Sequence, residues 1–147
     1  MIRSGLAATL LLLALAPTRT LAADIVVLVA NPSVQHDEIS SLTVRKVFLG
    51  LPTRSGDILL RGVRNVGDQR LTDVFLQTVV AMSQRSYDHR LLAQALQSGA
   101  PLPLEVSDHE KLVKVLTTTP GAVSYMWYED AVRYPSIQIV RVLWRSD

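Results

Sequence analysis

The chain has 147 residues, of which 48% are hydrophobic and 19% charged, with no cysteine and a formal net charge of +2. That length holds one domain with a real core, and the missing cysteine excludes disulfides and thiol chemistry. The cationic excess is Arg3 and Arg19, both ahead of the first acidic residue, Asp24. The remaining chain carries 13 Lys+Arg (15 less these two) against 13 Asp+Glu, too even to argue for nucleic acid, which needs many phosphate contacts.

The first segment reads as a secretory leader. Arg3 precedes an uncharged run from Leu6 to Ala16, Pro17 breaks it, and Thr20-Leu21-Ala22 offers the small residues that a signal peptidase requires. The run of about eleven residues is shorter than the roughly 20 that span a bilayer. Cleavage after Ala22 leaves 125 residues, 147 less 22, as a single periplasmic or secreted domain over 23–147 that does not span the membrane. An uncleaved anchor is the alternative reading.

Asp24–Ala30 (DIVVLVA) is a β-branched apolar run that predicts a strand covered on both faces, the pattern of a parallel sheet. Thr43 is positioned to cap a short helix whose apolar face is Val44, Val47 and Phe48, with Gly50 at its end. A turn over Thr53–Asp57 leads into a second strand, Ile58–Val63. Asp68 can cap a longer helix through Leu71, Phe75, Val79 and Met82. Asp88 is read as the cap of another, with Leu91, Leu92, Ala95 and Leu96 inward and Gly99 at its end. Pro101 and Pro103 predict an extended link. Ser107-Asp108-His109-Glu110 fits a capping box ahead of Leu112, Val113 and Leu116. Pro120-Gly121 predicts a turn, Ala122–Trp127 a third strand, Tyr128–Arg133 one helical turn and Ile137–Leu143 a fourth strand. Interleaved strands and helices make the class α/β with a mixed, mainly parallel sheet.

Four blocks in this order resemble the single-domain relatives of phosphate ABC transporter substrate-binding proteins, with their type II periplasmic binding protein-like fold. They are Asp24–Ser33 (DIVVLVANPS), Leu42–Gly50 (LTVRKVFLG), Leu71–Phe75 (LTDVF) and Ser107–Tyr125 (SDHEKLVKVLTTTPGAVSY). The resemblance implies a lobe-sized three-layer domain that is exported, non-enzymatic and without a cofactor. It implies a small oxyanion such as phosphate, held by hydroxyls, an Arg and the backbone N–H groups of helix N-termini. Such termini carry unpaired donors and a partial positive charge. Carried onto this chain, the ligand residues are Ser41, Thr43, Arg64 and the turn Gly67, Asp68, Gln69 and Arg70. The family reads Gly-Ser-Pro or Ser-Gly-Thr at that turn, whereas this chain has Asp68-Gln69-Arg70, so a carboxylate stands at the oxyanion position. Leu92, Gln97 and Ser124 replace a Trp, a Phe and a Gly that are common there. A cell-envelope protein-interaction or sensory accessory module that keeps the fold and has lost the anion site is the alternative.

Other residues carry weaker signals. Arg61, Arg64 and Arg70 flank the turn and can pair with an anion or with Asp68 or Asp73. Ser41 and Thr43 can serve an anion or simply cap a helix. His36-Asp37-Glu38, His89 and His109-Glu110 lack metal-site spacing, and no Gly-x-Ser-x-Gly elbow supports a hydrolase. Tyr125, Trp127, Tyr128 and Tyr134 are read as a binding surface or as packing.

Overall fold

The structure, a computed structural model, describes residues 23–147; the leader expected over Met1–Ala22 lies outside the described residues. The chain runs through β1 (Ile25–Ala30), a 3-10 turn (His36–Glu38), α1 (Ser41–Phe48) and a small hairpin of β2 (Arg54–Ser55) and β3 (Ile58–Leu59). It continues through β4 (Arg61–Asn65), then α2 (Gln69–Phe75), which passes into a π-helical turn, Leu76–Val80. Next come α3 (Gln84–Ser98), β5 (Leu104–Val106), α4 (His109–Thr118), β6 (Ala122–Trp127), α5 (Tyr128–Ala131) and β7 (Gln138–Arg145).

Five strands form one sheet in the order β5-β4-β6-β1-β7. β4 pairs in parallel with β5 and β6, while β1 pairs antiparallel with β6 and β7. Four strands therefore share a direction and β1 alone opposes them, so the sheet is mixed and mainly parallel. Helices cover both faces. Val26, Leu28 and Ala30 of β1 join Val47, Phe48, Phe75 and Leu91 on one side. Val27 and Val29 join Leu112, Leu116 and Ala131 on the other. This double cover is why Asp24–Ala30 is an unbroken apolar run, and every residue from Val26 to Ala30 is fully buried. The run reports cover and not direction: β1 is the antiparallel strand, contrary to the parallel pattern expected of it.

Several helix starts differ from the sequence reading by one to five residues. Ser40, not Thr43, caps α1: its hydroxyl accepts the Thr43 N–H at 3.1 Å. Asp108, not Ser107, caps α4 by accepting the Glu110 and Lys111 N–H groups at 2.8 and 3.2 Å. Ser83 caps α3, which places Asp88 inside the helix. In each case an extended residue one step outside the helix presents the oxygen, and neighbouring Ser, Thr or Asp residues make several candidates plausible in sequence. The phase of α3 is set by Tyr87 and Leu91, which enter the core, so Leu92 and Leu96 are exposed at 53% and 78% rather than inward. The expected second strand divides at Leu60 into hairpin and sheet strand, and the Pro101–Pro103 link continues into β5, a strand not anticipated. Among the described residues no helix is long and apolar enough to cross a membrane.

Candidate functional site

The chain leaves β4 toward β5 on one side of the sheet and returns to β6 on the other. In open α/β sheets such a change of direction opens a crevice beyond the carboxyl ends of the strands, where ligands bind. Three connections meet at this end: Val66–Asp68 after β4, Ser107–Asp108 after β5, and the passage from Trp127 of β6 into α5. Gly67 packs so tightly that a Cβ there would lie 2.2 Å from the Ser107 carbonyl oxygen. Only glycine lets the β4 and β5 connections approach this closely.

Asp68 occupies the start of α2. One carboxylate oxygen accepts the Leu71 backbone N–H at 3.1 Å, and the other accepts the Trp127 indole N–H at 2.8 Å. Its pKa balances opposed effects: burial raises it most, but the Trp127 N–H, the Leu71 and Arg70 N–H groups and the Arg70 guanidinium outweigh burial. The carboxyl is held below its ordinary value. Arg70 pairs with Asp24 and lies over the Trp127 ring, 5.1 Å from its centre. A carboxylate–indole–guanidinium–carboxylate chain, Asp68–Trp127–Arg70–Asp24, thus spans the crevice between β4 and β6.

Arg64 points to the α3 side. It is only 6% exposed. Its guanidinium donates to Glu105 at 2.5 Å and to Asp88 at 3.3 Å, and sits 4.8 Å above the Tyr87 ring. Its buried Nε has no partner among the described residues. Below it Tyr125 stacks on Phe75 at 3.7 Å, and its phenol is pushed up to about 12 by burial, which the Arg64 charge only partly offsets. Burial likewise raises Tyr87, whose hydroxyl donates to the Phe48 carbonyl.

The remaining expected site residues lie apart from this centre in their bonding. The Thr43 hydroxyl pairs with Ser40 at 2.9 Å, Ser41 is exposed, and Gln69 donates to Asp73 at 2.8 Å. Among the described residues no hydrogen bond or ion pair joins Ser41 or Thr43 to the Arg64–Arg70 cluster. Arg61 does not flank the turn. It begins β4 and lies four residues from Asn65, about 13 Å at strand rise, at the far end of the sheet. The aromatic residues do not form one surface: Tyr125 and Trp127 face the α1–α3 layer, while Tyr134 packs on the opposite side and Tyr128 is half exposed. Among the described residues no three His, Cys, Asp or Glu side chains converge as a metal site. Residue type pointed to Asp68. Its second partner, Trp127, lies 59 positions away and carries no local signal.

No protein-family model matches the chain, and no curated protein matches it. Solved structures do. An ABC-type phosphate transport receptor from Vibrio cholerae aligns with a TM-score of 0.56 and 12% identity, over 82% of this chain and 46% of the receptor. PstS from Borrelia burgdorferi aligns with a TM-score of 0.58 and 11% identity, over 81% of this chain and 47% of PstS. The chain thus spans a little under half the length of these neighbours, and at this identity the likeness speaks to architecture alone. The described residues therefore share the fold of a little under half of these two phosphate transport proteins.

Proposed function

We propose that the protein is an exported, non-enzymatic binding domain in which its own carboxylate has taken the oxyanion position, so that it acts through a protein partner in the cell envelope. One observation carries this reading: Asp68 satisfies the start of α2 from within and is tied to Trp127 across the crevice. The cations nearby are already neutralised, Arg70 by Asp24 and Arg64 by Glu105 and Asp88. An incoming phosphate has to displace these carboxylates and meets like charge in doing so.

A second reading, a small oxyanion held by the unaltered protein, is favoured by the buried Nε of Arg64, which has no partner among the described residues. Asp68→Ser separates the two. Phosphate at ten times a millimolar Kd stabilises a domain by about 1.4 kcal/mol, or roughly 5 °C at this size. The expected result is a phosphate-dependent rise in melting temperature for Asp68→Ser and none for the unaltered protein. A comparable rise in both establishes the second reading; no rise in either removes the anion site from consideration.

A further inference from the structure

We infer that the amino end of β4, remote from Asp68, carries a separate site for an amphiphilic carboxylate: a flexible alkyl chain in an apolar groove with its head group on Arg61. A cavity of about 400 Å³ opens between the β2–β3 hairpin, the start of β4 and the link into β5. That is within the range of small-ligand sites, which are mostly apolar with few polar groups. Leu51, Leu59, Leu102, Leu104 and Val115 line it, and among the described residues Arg61 is its one charged lining residue. Leu59, Leu102 and Leu104 remain 38%, 55% and 53% exposed. Three large apolar side chains around one concavity are an unsatisfied apolar surface.

The chemistry of the walls selects the occupant. Arg61 is exposed, and its guanidinium has no hydrogen-bond or ion-pair partner among the described residues. A guanidinium offers paired donors to a carboxylate, so an anionic head group is favoured over a neutral one. Among the described residues Thr119 is the only other polar side chain in the lining, and no helix start or second cation contributes, which leaves a phosphate-type dianion undersupplied. The lining holds no aromatic residue on which a planar ligand stacks. Pro101 and Pro103 border β5 on this side. Each lacks an N–H and has a fixed φ, which removes donors that an added peptide strand requires and keeps the wall rigid. A ligand that asks nothing of the backbone suits this groove: a medium-length aliphatic carboxylate.

The test is titration calorimetry of the purified protein with decanoate and decanol, both below their aggregation limits, with amide chemical shifts to locate binding. Decanoate is expected to bind at least about tenfold tighter than decanol, with amide shifts confined to the non-proline positions of the groove walls, 47–51, 59–63, 100–104 and 115–119. Arg61→Met is expected to bring decanoate down to the decanol affinity with an unchanged melting temperature, since the side chain is exposed and unpartnered. Leu104→Glu is expected to lose both ligands. Equal binding of the two by the unaltered protein overturns the proposal, as do shifts spread outside the groove. A short apolar peptide with a free C-terminus that binds tighter than decanoate also overturns it, by assigning the groove to a protein tail.

Discussion

The two ends of β4 are built on opposite principles. At the carboxyl end, polar side chains cross the crevice and neutralise one another: Asp68 with Trp127 and the start of α2, Arg70 with Asp24, Arg64 with Glu105 and Asp88. At the amino end the walls are mostly leucine, proline and valine, and the Arg61 guanidinium has no partner among the described residues. The first end has the topology of a ligand site, but its charges are matched internally, and the Arg64 Nε is left without a partner among the described residues. The second has no topological privilege but leaves apolar area and a charge unmatched. Position in the fold and readiness to bind are therefore separate properties. The first follows from strand order, and the second from which side chains still lack partners.

The largest effect expected is at the tight contact behind Asp68. Gly67→Ala puts a methyl 2.2 Å from the backbone oxygen of Ser107, which cannot rotate away. A loss of about 3 kcal/mol is expected by urea denaturation, near the top of the overpacking range. Gly62→Ala, near the other end of β4, comes nearest to the Phe48 and Val47 side chains, at 3.2 and 3.3 Å. Those can shift, and a loss of about 1 kcal/mol is expected. Equal losses would mean that the carboxyl end is no more tightly assembled than the amino end.

A smaller effect follows from Trp127→Phe, which keeps an aromatic ring and removes the indole N–H to Asp68. The expected cost is about 1.5–2 kcal/mol, typical of a hydrogen bond to a charged group. The same substitution should raise the pKa of Asp68, read by carbon NMR of its carboxyl through an acid titration. An unchanged pKa would remove Trp127 from the network.

The smallest effect is in the acid limb of stability. The folded-state pKa of Asp68 is lowered, so the folded carboxylate holds its proton less tightly than the unfolded one. Its contribution is present above the unfolded value of about 4 and is lost as pH falls through the lower folded value. Asp68→Asn should therefore flatten the fall in stability below about pH 4, the rest of the acid limb belonging to other carboxylates. An identical pH profile in the variant would show that Asp68 is not held as described.

Much of this architecture was legible in the residues. β1, β6 and the apolar faces of α1 and α4 follow from short-range periodicity, and Asp68 was correctly read as a helix cap. Less legible was whatever depends on distant partners. Arg64 was read as pairing with an anion or with Asp68 or Asp73, yet Asp88 and Glu105 meet it from α3 and β5. Arg70 found Asp24, 46 positions away. Arg61 looked like a neighbour of the turn, but a strand extends by about 3.3 Å per residue and carries four residues' separation to the far end of the sheet. Leu92 and Leu96 looked inward until Tyr87 and Leu91 set the phase of α3.

The amino-acid order alone determined the α/β class, the doubly covered first strand and the presence of a carboxylate at the start of α2, because these depend on burial periodicity and capping within a few residues. Tertiary structure alone decided that β1 runs against its neighbours, that Trp127 locks Asp68, and that Arg61 overlooks an apolar groove. Strand pairing and ion pairing are contacts between segments tens of residues apart, and no local pattern records which of several chemically equivalent partners the folded chain brings within reach.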